Sequence, residues 1–203
     1  MGIAADLSTA AAVAVLIAVY PEVDILVNNL GIVEPTPFEA ITAEDWLRFL
    51  KRTQWAVRLS RAYLPAMRAK NWGRIIFISS ESGLHIPVEM IHYGVTKTAQ
   101  IALSRGLAES VVGTGITINS VLPGPTRSEG VELFVEQMAD HTKRTEAQME
   151  TAFFRTARPT SLIRRFATVD EVANMVVSIA SPTASATTGA ALRVAGGVVR
   201  AIP

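Results

Sequence analysis

The chain has 203 residues, 49% of them hydrophobic, and its 19 basic and 18 acidic side chains give a formal charge of +1. This length and composition predict a single domain, residues 1–203, with a substantial core, and the balanced charge argues against nucleic acids and anionic membranes as partners. Cysteine is absent, which excludes disulfides and cysteine-ligated metals and is consistent with a reducing, cytoplasmic location.

One short apolar run, residues 10–20, is the candidate for a targeting segment. A secretory signal needs a basic beginning, but the first basic residue of the chain is Arg48. The run is also shorter than the roughly 20 apolar residues that span a bilayer. We therefore expect a buried helix that ends at Pro21, and no membrane partner.

Helical and strand-like stretches alternate along the chain. In order we predict a helix at 8–19, a strand at 25–28, a helix at 43–70, a strand at 75–79, a helix at 91–112, a strand at 116–122, a helix at 169–181 and a strand at 191–194. The strands are mostly continuous apolar runs, typical of strands buried on both faces of a parallel sheet. This alternation indicates an α/β fold, a doubly wound parallel sheet that binds ligands at the carboxyl ends of its strands.

Two helix starts carry a specific signal. Thr42 and Asp45, and likewise Thr168 and Glu171, have the spacing of capping boxes, in which each side chain bonds the other residue's backbone.

Residues 125–165 are too long for a compact connection between a strand and a helix. Large apolar side chains recur there at helical spacing among charges such as Glu136 and Lys143, which predicts two amphipathic helices. The pair would either cover the sheet edge or form a lid over a substrate, because long insertions near a site are often functional. The apolar residues are Phe134, Met138, Met149, Phe153 and Phe154.

Three polar residues have the spacing of a proton-transfer site. Tyr93 and Lys97 are four residues apart, so a helix places the ammonium and the phenol on one face. A nearby cation favours phenolate and would lower a pKa that is ordinarily about 10. Ser80 follows a predicted strand, in a Ser-x-x-Gly83 context, and could hydrogen-bond the oxygen whose proton Tyr93 moves. The arrangement suits carbonyl–alcohol interconversion, although a tyrosine–lysine pair alone is also a common surface feature.

With this site, four further segments make the chain resemble the short-chain dehydrogenase/reductase family from about residue 5 to residue 199. They are Ala5-Asp6-Leu7, Asp24-Ile-Leu-Val-Asn28-Asn-Leu-Gly31, Asn119-Ser-Val-Leu-Pro123-Gly124-Pro-Thr126-Arg-Ser128 and Val194-Ala-Gly-Gly197. Leu30 replaces an alanine of the family pattern, and Ala195 replaces an aspartate.

The resemblance implies a Rossmann-like fold and an oxidoreductase that uses NAD or NADP on a small-molecule carbonyl or alcohol substrate. The nicotinamide would carry the hydride. Tyr93 would move the proton, Lys97 would lower its pKa and hold the nicotinamide ribose, and Ser80 would orient the substrate oxygen. The implied cofactor-binding residues are Asp6, Leu7, Asn28, Gly31, Tyr93, Lys97, Pro123, Gly124, Thr126 and Ser128. The resemblance also favours the lid for residues 125–165.

Each of these assignments has a purely structural alternative. Asp6 could instead cap a helix, Asn28 could be a hydrogen-bonding residue at a strand end, and Ser128 could form a turn.

The chain departs from the family pattern in two ways. The family's pyrophosphate cradle, Thr-Gly-x-x-x-Gly-x-Gly, does not occur in the 203 residues. Gly113-Thr-Gly115 is the nearest sequence, and its place after a predicted helix favours a tight turn. We therefore expect an N-terminally truncated form of the fold, whether by true truncation or by a misassigned start. The family's relay asparagine is also replaced, by Arg52 or Thr53 depending on the direction of counting.

Two functions are compatible with these features. One is the NAD(P)-dependent oxidoreductase, and the other is a non-catalytic remnant or structural partner that keeps the helices at 46–70 and 91–112, which in the family pack between subunits. We expect a homodimer or homotetramer. No metal site is expected, because His85, His92 and His141 lack metal-ligand spacing and are predicted to lie in loops or at the surface. His85 and His92 are also close enough to Tyr93 in sequence to line a pocket beside it.

Overall fold

The computed structural model describes residues 2–131 and 145–202, apart from the side chain of Arg52. The helices are α1 (Ala10–Val19), α2 (Ala43–Lys70), α3 (Ile91–Glu109), α4 (Glu146–Thr156) and α5 (Val169–Ala180). The strands are β1 (Ile25–Asn28), β2 (Gly73–Ile78), β3 (Ile116–Pro123), β4 (Thr126–Arg127), β5 (Ala167–Thr168) and β6 (Ala191–Val194). No helix in these residues combines the length and apolar character needed to cross a membrane.

A four-stranded sheet forms the centre of the described fold. Its order is β1-β2-β3-β6 and all of its neighbours are parallel. The register places Ile75 beside Ile118 and Phe77 beside Ser120. Strands β2 and β3 are buried on both faces, in agreement with their mostly apolar sequences.

Helices cover both faces of the sheet, as the alternating pattern predicted. On one face α1, α2 and α3 bury a core that includes Trp55, Met67 and Phe77. On the other face α5 packs Ile179 against Ile76 and Val121. The doubly wound α/β prediction is therefore confirmed, and the motifs fall at the carboxyl ends of β1, β2 and β3.

The two predicted capping boxes are confirmed. Thr42 Oγ1 accepts the backbone N–H of Asp45 at 3.1 Å, and the Asp45 carboxylate accepts the backbone N–H of Thr42 at 3.1 Å. Thr168 and Glu171 make the same exchange at the start of α5. Each box satisfies backbone donors that a helix leaves free at its first turn.

The prediction of a buried first helix is wrong. Of the residues of α1, only Val13 is buried, and Val15 is 55% exposed. The helix packs on α2 along one side, and because it is apolar on all sides, its sequence gives no sign of which face is covered. An apolar surface remains open beside β1 in the described part of the chain.

The segment predicted to hold two amphipathic helices contains one of them within the described residues. Helix α4 begins at a capping box formed by Thr145 and Gln148, and it packs Phe153 and Phe154 against Phe166. Phe134 and Met138 lie outside the described residues. The strands β4 and β5 pair Thr126 with Ala167 and Arg127 with Thr168, a two-residue ladder too short to have a sequence period.

Candidate active site

Ser80 lies where β2 ends, and it begins a tight helical turn. Its backbone is extended, and its hydroxyl caps the turn Glu81–Gly83 by accepting the N–H of Ser82 at 3.1 Å. The same hydroxyl donates to Glu81 Oε2 at 3.1 Å. Ser80 is buried, and so are the three residues of the turn. Its side chain therefore has a fixed orientation at the carboxyl edge of the sheet.

Tyr93 lies in the first turn of α3 and is almost fully buried. It packs with Phe49 and Met90. Burial raises the pKa of Tyr93, because the phenolate loses its hydration, and the neighbouring Ser80 hydroxyl acts in the opposite direction. The net direction is opposite to the lowering that the sequence predicted from the neighbouring lysine.

Lys97 lies one turn beyond Tyr93, as the spacing predicted. Its Nζ is 5.6 Å from the centroid of the Tyr93 ring. The ammonium donates to the Ile78 carbonyl at 2.9 Å and to Gln100 Oε1 at 3.4 Å. Burial lowers the pKa of Lys97 to about 8. Strand β2 therefore anchors the amine close to the tyrosine, and the amine loses its charge at a lower pH than an exposed lysine does.

Two glycines allow the Ser80 turn to approach α3. A Cβ added to Gly94 would lie 3.0 Å from the Ser82 carbonyl oxygen and 2.6 Å from Ile86 Cγ2. A Cβ added to Gly83 would lie 2.9 Å from the backbone carbonyl carbon of Lys97. Because both contacts involve backbone that cannot easily move, glycine at these positions fixes the spacing between the turn and the helix.

Asn28 and Gly31, two of the predicted cofactor residues, lie beside this cluster. The side chain of Asn28 is fully buried, yet its amide nitrogen and oxygen have no hydrogen-bond partner within the described residues. Buried polar atoms are nearly always paired, so this amide is suited to a ligand or water. A Cβ on Gly31 would lie 3.3 Å from Lys97 Nζ, which places the backbone of Gly31 over the amine.

The segment from Pro123 to Ser128 forms the turn after β3. Gly124 donates its N–H to the Val194 carbonyl at 3.0 Å, and an added Cβ would lie 2.8 Å from Ala195 Cα. Thr126 Oγ1 donates to the Gly124 carbonyl at 2.9 Å, and the N–H of Ser128 bonds the Thr126 carbonyl. These contacts join the Pro-Gly segment to the Val194–Gly197 motif.

Asp6 and Leu7 lie before α1. Asp6 Oδ1 accepts the N–H of Ser8 at 3.0 Å, whereas the cap of α1 is Thr9. The alternative of Asp6 as a helix cap is therefore wrong, because the carboxylate bonds the turn that precedes the cap. Leu7 packs against the core under α1.

Several residues near the site carried no sequence prediction of a role. Arg158 pairs with Glu81 and Glu89, and Gln100 accepts from Lys97. The signal that could have singled out Glu81 is its place inside the Ser80–Gly83 motif. His92, predicted to lie at the surface or in a loop, is instead a fully buried residue of α3 whose ring packs against Phe49 of α2. Thr53 lies half-buried on α2.

The described residues contain no cluster of potential metal ligands. No group of three histidine, aspartate or glutamate side chains in residues 2–131 and 145–202 is arranged to hold an ion.

The fold defines a class of protein, a doubly wound α/β protein, and a serine, a tyrosine and a lysine lie together at the carboxyl edge of its sheet. The chain belongs to the short-chain dehydrogenase/reductase family of oxidoreductases, and residues 2–199 match the family described as Enoyl-(Acyl carrier protein) reductase.

Individual proteins resemble it over most of its length. "Uncharacterized oxidoreductase YvrD" of Bacillus subtilis (strain 168) is 47% identical over 205 residues, which cover 99% of this chain and 78% of the relative. "D-beta-hydroxybutyrate dehydrogenase" of Rhizobium meliloti (strain 1021) is 32% identical over 180 residues, 86% of this chain and 67% of the relative. A solved structure, "short chain dehydrogenase/reductase family protein", matches with a TM-score of 0.82 and 31% identity, over 96% of this chain and 75% of that one.

Proposed function

We propose that the chain is an NAD(P)-dependent oxidoreductase that interconverts a carbonyl and an alcohol through Ser80, Tyr93 and Lys97. The observation that carries this proposal is the convergence of the three side chains at the carboxyl edge of the sheet. Lys97 Nζ lies 5.6 Å from the Tyr93 ring centroid, and the Ser80 hydroxyl faces the same phenol. A proton donor, a second hydrogen-bonding group and a cation are the parts that such a reaction requires.

The residues beside the cluster fit a nicotinamide cofactor. Asn28 offers a buried amide without a protein partner in the described residues, and Gly31 leaves room above Lys97 that a side chain would fill. Gly124 and Thr126 form the neighbouring turn. The bound cofactor would supply or accept the hydride. The chain's own residues would hold its nicotinamide end and exclude water from the reacting carbon.

The proton belongs to Tyr93 in this proposal. Burial holds the pKa of Tyr93 above its usual value, so the phenol keeps its proton at neutral pH and can donate it to a developing alkoxide. Lys97, with a pKa of about 8, is mostly protonated at pH 7 and favours the phenolate left behind. Ser80 holds the substrate oxygen within reach of the phenol.

The substrate that we would test first is a small 3-oxo or 3-hydroxy acid derivative. The support comes from the similar D-beta-hydroxybutyrate dehydrogenase and from the acyl-carrier description of the family. The fold alone does not select a substrate.

We also propose that the protein is a homo-oligomer whose subunits pair through α2. Leu47, Leu50 and Val57 lie on one stripe of α2 and are all exposed in the described chain. Large apolar side chains on one face of a helix are typical of helix–helix contacts.

The experiment measures oxidation of NADH and NADPH with acetoacetate and ethyl acetoacetate, and the reverse reaction with 3-hydroxybutyrate. The 203-residue chain is compared with a version that carries the N-terminal strand–loop–helix unit of a relative. We expect turnover in the longer version and its loss in Tyr93→Phe. Tyr63→Phe is the matched control, because Tyr63 is also buried but lies in the core away from Ser80. Turnover that survives Tyr93→Phe would contradict the assignment.

A further inference from the structure

The carboxylate of Glu81 lies directly behind Ser80. Its Oε2 accepts hydrogen bonds from Ser80 Oγ at 3.1 Å and from Ser82 Oγ at 2.5 Å, and only 4% of the residue is exposed. A buried carboxylate needs a counter-charge, and hydroxyl donors alone do not provide one.

Arg158 supplies that counter-charge from a distant part of the chain. Its Nε lies 3.3 Å from Glu81 Oε1, and one terminal nitrogen lies 3.1 Å from Glu89 Oε1. Arg158 is itself 9% exposed and follows Ala157, the residue that caps the end of α4. One guanidinium thus joins the α4 segment to the Ser80 turn and to the turn that precedes Tyr93.

This network fixes the direction of the Ser80 proton. A serine hydroxyl has one proton and two lone pairs. The proton points to Glu81, and the N–H of Ser82 occupies one lone pair. One lone pair remains, and it can face Tyr93 or a substrate hydroxyl. To donate to a substrate carbonyl, Ser80 turns this proton from Glu81 toward the substrate, while the N–H of Ser82 keeps the Ser80 oxygen in place.

We propose that Glu81 and Arg158 are positioning residues for Ser80: the carboxylate orients the serine hydroxyl, and the guanidinium holds the carboxylate in place only when the segment after α4 is docked. This inference rests on the proposed function, because it gives Ser80 its role in the reaction. It adds a dependence of the Ser80 geometry on Arg158, which lies 77 positions from Glu81 in sequence.

The first test compares kcat and cofactor Kd in the version of the chain that carries the N-terminal strand–loop–helix unit of a relative. Glu81→Gln keeps the shape but removes the charge, and Arg158→Met removes the counter-charge. We expect each variant to lower kcat about tenfold or more, because it loses a charge-assisted hydrogen bond. The cofactor Kd should stay within about twofold of the wild-type value, because that bond lies away from the cofactor. Arg158→Lys should recover part of the loss. Arg165→Met is the control, because Arg165 pairs with Glu171 away from Ser80.

A double-mutant cycle shows whether Glu81 acts through Ser80. In a Ser80→Ala background, Glu81→Gln should change the residual kcat by less than about twofold, because the group that it orients is already absent. If Glu81→Gln lowered kcat by the same factor with and without Ser80, the two residues would act independently and the proposal would be overturned. Arg158→Met combined with Ser80→Ala gives the same comparison if Glu81→Gln does not fold.

A readout without turnover separates this inference from the proposed function. The Glu81 charge raises the pKa of Tyr93 and the Arg158 charge lowers it. Titration of Tyr93 by ¹³C NMR of labelled tyrosine, assigned with Tyr93→Phe, should show a lower midpoint in Glu81→Gln and a higher one in Arg158→Met. Midpoints that stay fixed, or move in the same direction, would overturn the network. An inactive chain with the expected midpoints would contradict the proposed function alone.

Discussion

The imidazole of His92 lies against the ring of Phe49, with the ring centroids 3.8 Å apart and the planes at 51°. The histidine is fully buried, and neither ring nitrogen has a hydrogen-bond partner in the described part of the chain. Burial lowers the pKa of His92, while the carboxylates of Glu34 and Asp45 oppose that shift and Arg48 reinforces it. His92 is therefore a neutral, apolar-packed residue next to Tyr93.

Acidification should destabilise the fold through His92. Because its pKa is lower in the folded state than the unfolded value of about 6.5, the unfolded chain binds more protons, and stability falls as pH drops below about 7. One such group contributes at most about 1.4 kcal/mol per pH unit. We expect thermal melts between pH 8 and pH 5 to show a smaller decline in His92→Leu than in the wild type. His85→Leu, at an exposed histidine, should keep the wild-type slope.

Tyr93 and Lys97 should affect the reaction differently. Tyr93→Phe removes a proton but no binding surface, so kcat should fall by at least about 100-fold while the cofactor Kd remains nearly unchanged. Lys97→Met removes the amine that lies 3.3 Å from the position of a Gly31 Cβ, so it should weaken cofactor binding as well. Steady-state kinetics with fluorescence titration of NAD(P)H distinguish the two effects. Equal Kd changes in both variants would show that Lys97 does not face the cofactor.

The 203-residue chain should bind dinucleotides weakly by itself, because it has no Thr-Gly-x-x-x-Gly-x-Gly cradle. Each charge-assisted bond to a phosphate is worth about 1.5–3 kcal/mol, so the lack of several costs orders of magnitude in Kd. Titration calorimetry with NAD and NADP measures this directly. A Kd in the micromolar range or below would mean that other residues hold the pyrophosphate.

Glycine-to-alanine substitutions within α3 should have opposite effects at two positions. Gly94→Ala forces a Cβ against the Ser82 carbonyl and Ile86, which should cost about 1–3 kcal/mol of stability and lower kcat. Gly106 lies in the same helix with no atom within 4 Å of an added Cβ. Gly106→Ala should therefore stabilise the protein by about 0.5–1 kcal/mol and leave kcat unchanged. Urea unfolding and initial rates measure both effects.

The edge of the sheet at β1 should promote self-association. Ile25 and Val27 are 45% and 41% exposed, and unpaired apolar edge strands are sites of aggregation. We expect Val27→Lys to reduce association if the edge is the contact, and Leu50→Lys to reduce it if α2 is the contact. Size-exclusion chromatography with light scattering distinguishes them. Val112→Lys, at an exposed residue away from both, is the control, and a wild-type monomer would contradict both routes.

The central fold could be predicted because its signals are local. Strand β3 is a continuous buried run, and the Thr42–Asp45 box needs only four adjacent residues. The burial of α1 could not be predicted, since an all-apolar helix does not indicate which side is covered. The contact of Arg158 with Glu81 could not either, because a charge pair between distant segments leaves no periodic pattern. The proximity of Tyr93 and Lys97 followed from helix geometry, but their pKa directions depend on burial.

The short ladder of β4 and β5 has a consequence for how this chain can vary. It holds Arg127 beside Thr168, so the chain between them leaves the sheet and returns at almost the same point. For a loop whose ends are already joined, doubling the length costs only about 0.6 kcal/mol of closure entropy. Residues can therefore be inserted or deleted between β4 and β5 with little effect on the sheet, as long as Arg158 still reaches Glu81. Changes of length there leave the Ser80 geometry unaltered only while that contact is kept.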